Sequence, residues 1–165
     1  MAELHVVTTG GTIDKIYFDR LSEFEVGEPQ VGRLLEQANV AFDWSIDALL
    51  RKDSLDLTDV DRDAIVAAVR GADAPRVLVT HGTDTMLDTA ARLTEVLEGQ
   101  PEKTIVLTGA MQPATLRDSD AVFNIGFALG VLQHAEPGVY VAINGRVFRP
   151  GAARKNRDAN RFETL

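Results

Sequence analysis

Val79-Thr80-His81-Gly82-Thr83-Asp84-Thr85-Met86, residues 79–86, is the stretch whose reading decides the fold. Ahead of its end, Arg76-Val77-Leu78-Val79-Thr80 is short, apolar and β-branched, the pattern of a buried strand. Beyond it, Met86, Ala90, Leu93 and Leu97 recur at helical spacing, with Leu87 and Ala91 widening the stripe. The stretch is therefore a strand-to-helix turn. Gly82 permits the sharp reversal, and Thr83 or Asp84 falls where a helix N-terminus takes an oxygen acceptor. Open α/β folds bind ligands at such sheet-end turns, where backbone N–H groups are free. Capping accounts for one polar side chain, but His81, Thr83, Asp84 and Thr85 crowd together here. Both readings, cap and ligand site, stand at this point.

Outward from this turn the same pattern repeats. Leu4 to Thr9 reads as a first buried strand ending in Gly10-Gly11-Thr12-Ile13, where two glycines allow close backbone approach to an anion. No Gly-Lys-Ser/Thr follows, and the Gly-x-Gly-x-x-Gly spacing is absent, so neither nucleotide-binding loop is present. A plain turn is the other reading. Residues 14–29 hold no period and read as a long loop, with Tyr17 either packed on its surroundings or returned to the glycine turn as part of a lid. Gln30 to Ala38 reads as a short helix and Trp44 to Leu50 as a strand. Thr58 and Asp61 fit a capping box for a helix that runs to about Arg70. A calcium loop starting at Asp59 fails, since Ala64 and Arg70 stand where Gly and Glu are required. Lys103 to Thr108 and Gly138 to Ile143 are further strands, and Gly145 to Phe148 turns into a short hairpin. The helix Ser119–His134 is apolar nearly all round, which predicts burial on both sides, in the fold or against a second subunit.

Strands alternating with helices predict an open, mostly parallel sheet with helices on both faces, three-layer and flavodoxin- or Rossmann-like, in a single domain spanning 1–165. In such a sheet the turns Gly10-Gly11-Thr12, Asp53-Ser54 and Thr83-Asp84 converge on one edge.

Seventeen basic and twenty-five acidic residues give a net charge of −8, which argues against non-specific nucleic-acid binding. The basic last twenty residues (Arg146, Arg149, Arg154, Lys155, Arg157, Arg161) read as a solvated tail from which a site could recruit one cation. With no cysteine there are no disulfides, thiolate metal sites or cysteine nucleophile. His5, His81 and His134 are far apart in the chain, so a histidine triad is poorly supported. No metal and no cofactor are expected. The first residues lack a signal-peptide pattern and no run is long enough to span a membrane, so a cytoplasmic protein is the expectation. Hydroxyls, carboxylates and free N–H groups without cysteine suit acyl transfer through an activated threonine.

Thr-Thr-Gly-Gly-Thr-Ile (8–13) together with Thr-His-Gly-Thr-Asp-Thr-Met (80–86) resembles the two signature stretches of bacterial-type L-asparaginases. The resemblance continues through Asp53-Ser54, Gly109-Ala110-Met111, Phe123-Asn124 and Asn144 to Lys155, and it concerns that family's N-terminal domain. It implies that Thr12 is the nucleophile and that Thr83, Asp84 and Lys155 activate a nucleophile or water. It also implies that Gly11, Asp53, Ser54, Thr83, Asp84 and Ala110 line the substrate site, Asp53, Ser54 and Asp84 gripping the α-amino and α-carboxylate groups. Longer members carry a catalytic tyrosine further along the first loop, where this chain has Phe24; Tyr17 is the substitute candidate. They also carry a C-terminal domain that completes a neighbouring subunit's site, whereas this chain reads as a single-domain member. The expected reaction is hydrolysis of L-asparagine to L-aspartate and ammonia by a homodimer or homotetramer. The alternatives are a catalytically silent amino-acid-binding module and the ammonia-releasing subunit of an amidotransferase.

Overall fold

Apolar runs too short for helices, rich in Val, Ile and Thr, become the strands of one central sheet. The computed structural model describes residues 1–20, 22–97 and 102–165. Its strands are β1 (Leu4–Gly10), β2 (Lys15–Phe18), β3 (Glu23–Val26), β4 (Trp44–Lys52), β5 (Arg76–Thr80), β6 (Thr104–Thr108), β7 (Gly138–Ile143), β8 (Arg146–Phe148), β9 (Ala153–Asn156) and β10 (Arg161–Thr164). Its helices are α1 (Val31–Gln37), α2 (Asp59–Gly71), α3 (Met86–Leu97) and α4 (Ala121–His134). The central sheet runs β4-β1-β5-β6-β7-β8, every pair parallel except β7–β8. The direction of winding reverses between β1 and β5. Folds of this kind bind ligands in the crevice at that reversal, beyond the carboxyl ends of the strands.

Both faces of the sheet are apolar, which is why its strands read as near-continuous hydrophobic runs. Val7, Val77, Val79, Ile105 and Leu107 pack on Ile65 and Val69 of α2 and on Met86, Ala90 and Leu93 of α3. Leu4, Val6, Leu78, Val106 and Tyr140 pack on Leu34 and Leu35 of α1 and on Ile125, Ala128 and Leu132 of α4. The expected three-layer architecture is therefore present. The capping box forms as well: Thr58 Oγ1 accepts the Asp61 N–H, and the Asp61 carboxylate accepts the Thr58 N–H at 2.8 Å. Among the described residues, no helix is long and apolar enough to cross a membrane.

Two expectations need correction, and a third is narrowed. Residues 14–29 are not an aperiodic loop, because β2 and β3 pair antiparallel with Tyr17 opposite Phe24. The alternation Glu23-Phe24-Glu25-Val26 was its signal, too short at four residues to stand out. Helix α4 is covered on one side only within the chain, which sets aside burial in the fold and leaves burial against a second subunit. It buries Asn124, Ile125, Ala128 and Leu132 but leaves Val122 and Phe123 64% and 61% exposed, since the sheet covers only one face of it. The basic C-terminal stretch is not a solvated tail either. Strands β9 and β10 form a hairpin whose Phe162, 2% exposed, joins the core beside α2 and α3. Alternation along the hairpin turns one aromatic inward and leaves Arg154 and Arg161 outside with Glu163.

Asp14 pins the base of the β2–β3 hairpin. Its backbone carbonyl accepts the Gly27 N–H at 2.8 Å, and its carboxylate accepts the Gln30 N–H at 2.9 Å, at the start of α1. Burial pushes this carboxyl up to about 7, against the opposing pull of the Gln30 N–H and the Arg51 charge. A carboxyl raised in this way binds its proton more tightly in the folded chain. Its contribution to stability is full below the ordinary value of 3.8 and is lost as pH rises through about 7. Asp14→Asn keeps the acceptor and removes the titration. The variant is expected to be the more stable chain at about pH 8, by on the order of a few kcal/mol, with the gap closing toward about pH 4. Urea unfolding at the two pH values checks this; a constant gap would contradict it.

Candidate active site

Four sheet-end turns meet beside the reversal, and glycines let them touch. A Cβ on Gly11, whose φ is 85°, would lie 2.4 Å from the Gly82 Cα, and a Cβ on Gly82 would lie 2.6 Å from the Ser54 Cβ. No side chain fits at either position. The turns after β1, β4 and β5 are thus in backbone contact, which brings Thr12, Ser54 and Thr83 to one place. Ala110, 1% exposed, follows β6 on the next turn, which is joined to His81 through the Thr108 carbonyl at 2.9 Å. The N–H groups of Thr12 and Thr83 donate to no backbone carbonyl in the turns and loops among the described residues.

His81 holds the frame. It is fully buried, its Nδ1–H donates to the Gly82 carbonyl at 2.7 Å, and its Nε2 therefore accepts the Thr89 hydroxyl at 2.7 Å. Burial lowers its pKa to about 4, so the ring is neutral near pH 7. Both nitrogens are occupied, and the ring is no base for a nucleophile. Asn124, also fully buried, ties two further turns together by donating to the Gly109 carbonyl and accepting the Asn144 N–H.

The charged network is built around Asp84. Lys155 Nζ donates to Thr83 Oγ1 at 2.7 Å and to Asp84 Oδ1 at 2.9 Å. The side chains of Thr83 and Asp84 are thus spent on a cation rather than on capping α3. Lys155 reaches inward because it lies directly opposite Phe162 in the β9–β10 register, and opposite residues share a face. Arg157 adds a second hydrogen bond to Asp84 Oδ1 at 2.9 Å. Lys155 first, then Arg157, hold the Asp84 carboxyl below the ordinary carboxylate range, against the opposing effect of burial. Lys155 and Arg157 both donate to Asp84 Oδ1, and Oδ2 accepts nothing from the described side chains.

Asp53 belongs to the same rim. Its Oδ1 accepts the Leu55 N–H at 3.1 Å, and its Oδ2 pairs with Lys15 Nζ at 3.0 Å. Burial pushes its carboxyl up, but Leu55 and Lys15 together bring it below the ordinary value. Ser54 is 1% exposed, and its carbonyl accepts the Thr85 hydroxyl at 2.7 Å. Tyr17 stands 53% exposed on the hairpin with its ring 5.4 Å from that of Phe24, outside the hydrogen-bonded cluster. The structure thus brings together the turns of Gly11, Thr12, Asp53, Ser54, Thr83, Asp84 and Ala110, with Lys155 reaching in. Sequence reading missed two members, Lys15 and Arg157. Arg157 stood among other cations, and nothing local marks Lys15 as the partner of Asp53.

Residues 3–165 match the family model described as asparaginase, N-terminal. The chain belongs to the asparaginase family. A protein of Haemophilus influenzae named "Probable L-asparaginase periplasmic" is 31% identical over 159 residues, covering 89% of this chain and 44% of the relative. One component of the glutamyl-tRNA(Gln) amidotransferase of Methanococcus vannielii is 39% identical over 74 residues, 45% of this chain and 17% of that protein. The solved structure of the thermostable L-asparaginase of Thermococcus kodakarensis superposes with a TM-score of 0.86 at 28% identity, covering 98% of this chain and 51% of that one. The asparaginase-family chain thus spans about half the length, or less, of the relatives it matches.

Proposed function

We propose that this chain is the catalytic domain of an amidohydrolase that converts L-asparagine to L-aspartate and ammonia through an ester on Thr12. The observation that carries the reading is Lys155 Nζ bridging Thr83 Oγ1 and Asp84 Oδ1. A lysine held by a carboxylate against a threonine hydroxyl stabilises negative charge on that oxygen, which a proton relay requires. As the Thr12 oxygen attacks the side-chain amide carbon, its hydroxyl proton passes by way of the Thr83 hydroxyl to the amide nitrogen, the carbon–nitrogen bond breaks and ammonia leaves. Water then takes the place of ammonia. As its oxygen attacks the ester carbon, its proton passes by way of the Thr83 hydroxyl, held by Lys155, to the departing Thr12 oxygen, which releases aspartate and restores the Thr12 hydroxyl. The Thr12 and Thr83 N–H groups, without backbone carbonyl partners in the turns and loops among the described residues, would serve as donors to the oxyanion. Asp84 Oδ2 suits the substrate ammonium as a charge-assisted acceptor. Ammonia release from L-asparagine by the purified chain, abolished in Thr12→Ala, supports this reading. Tight asparagine binding without turnover in the parent would replace it with a silent binding module.

Tyr17 fills the lid role in this account, carried by the hairpin whose base Asp14 and Gly27 anchor. Closure would bring its phenol over bound substrate and exclude water. Tyr17→Phe keeps the ring and is expected to lower kcat by roughly tenfold or more with the thermal midpoint unchanged. An unaltered kcat would return Tyr17 to packing against Phe24.

The working form we propose is a homo-oligomer, at least a dimer. Val122 and Phe123 on α4 present an uncovered apolar face, extended by Phe127, whose ring stacks on that of Phe123 at 6.2 Å. Sedimentation at micromolar concentration checks it; a fully active species of 17.9 kDa would contradict it.

A further inference from the structure

The Lys15–Asp53 ion pair has no part in the reaction described above, yet its placement is specific. Lys15 directly follows the turn that carries Thr12, and its N–H donates back to the Thr12 carbonyl. Asp53 precedes Ser54, in the turn that packs on Gly82. The two side chains are 27% and 33% exposed, so the pair lies at the rim of the crevice rather than in the core or free in water. Asp53 Oδ1 is taken by the Leu55 N–H, and Lys15 holds the remaining oxygen. Lys15 spends one of its three ammonium donors on the described residues, which leaves two.

An amino-acid substrate brings one cation and one anion to this rim. Asp53 and Asp84 lie close enough that the Asp84 charge works against ionisation of Asp53. Two neighbouring carboxylates suit an ammonium and repel an α-carboxylate. Of the cations nearby, Lys155 is taken up by Thr83 and Asp84, and Arg157 is 68% exposed and paired with Asp84 Oδ1. Lys15 alone among these is partly buried with most donors unspent, and an ammonium can replace it on Asp53 one for one.

We propose that Lys15 reads the α-carboxylate of the substrate: the α-ammonium, with one donor on Asp84 Oδ2, gives a second to Asp53 Oδ2 in place of Lys15, and the released Lys15 ammonium pairs with the α-carboxylate. The exchange conserves the number of ion pairs, and a rim pair of this exposure is weak enough to be displaced. It makes amide hydrolysis depend on an amino-acid head group, so that amides or amines lacking the carboxylate are poor ligands. Because Lys15 begins β2, two residues before Tyr17, the exchange also reaches the strand that carries the lid.

This inference rests on the asparaginase reading, and its test separates the two. Values of kcat/KM are measured for L-asparagine and for 3-aminopropanamide, the same amide without the α-carboxylate, in the parent, Lys15→Met and Lys15→Arg. The ratio of the two is expected to fall in Lys15→Met by about ten- to a hundredfold, the worth of one charge-assisted hydrogen bond, through KM more than kcat. Lys15→Arg should keep most of that ratio. Equal losses on both substrates, leaving the ratio unmoved, would overturn the proposal and reduce Lys15 to a brace for Asp53. Calorimetric titration with L-aspartate and with β-alanine, its counterpart without the α-carboxylate, is run in every case. If the parent releases no ammonia the hydrolase reading fails by itself, and calorimetry alone judges Lys15. Preference for aspartate that is lost in Lys15→Met supports the role; absence of preference in the parent, or equal preference in both chains, overturns it.

Discussion

Lys155→Met is expected to lower kcat for ammonia release from L-asparagine by about a hundred- to a thousandfold, the scale set by removing one preorganised charge from a developing oxyanion or alkoxide. Methionine keeps the apolar stem beside Phe162, so the C-terminal hairpin stays in place and the loss is chemical. Its neighbours should not behave alike. Among the described residues Arg154 pairs with Glu163 alone, at 3.7 Å and largely exposed, so Arg154→Ala should leave kcat within about twofold. Arg157 shares Asp84 Oδ1 with Lys155, so Arg157→Ala should cost about tenfold and raise the pKa of Asp84 toward its ordinary value. Steady-state kinetics of the three variants checks the grading. Equal losses in all three would mean a diffuse basic patch in place of a placed lysine.

Phe162→Ala is expected to destabilise the chain by about 3–5 kcal/mol, the usual cost of truncating a buried phenylalanine. That is a large share of the roughly 5–15 kcal/mol that holds a domain folded. Phe162 is 2% exposed, and its N–H donates to Asn144 Oδ1 at 2.9 Å, so it anchors the hairpin to the sheet end. Loss of the anchor also releases Lys155 from Thr83, and activity should fall at temperatures where the remainder is still folded. Denaturant unfolding, together with activity measured well below the midpoint, checks both parts. A stable Phe162→Ala chain with full activity would mean that the hairpin does not position Lys155.

The sheet was legible because its strands are buried on both faces. Leu4–Thr9, Arg76–Thr80 and Lys103–Thr108 read as apolar runs whatever packs on them. The edge that collects Thr12, Ser54 and Thr83 followed from parallel strands and the glycines at their ends. What escaped reading was short or depended on contacts between distant residues. Strands β2 and β3 are four residues each, below the length at which alternation stands out. Reading residues 146–161 as a basic run hid the hairpin alternation, which selects Lys155 through its register with Phe162. The Lys15–Asp53 pair joins two turns separated by 38 positions, and no local pattern announces it. The uncovered side of α4 was visible as excess apolar character, but which side stays open depends on how the helix lies on the sheet.

The central claim is that Thr12 becomes esterified during turnover. Acid quenching of the purified chain during steady-state turnover of L-asparagine, followed by peptide mapping by mass spectrometry, tests it most directly. The account predicts an added aspartyl group on the peptide that holds Thr12, and its absence from the same peptide of Thr12→Ala. An aspartyl group on the peptide that holds Thr83, with ammonia release undiminished in Thr12→Ala, would contradict it.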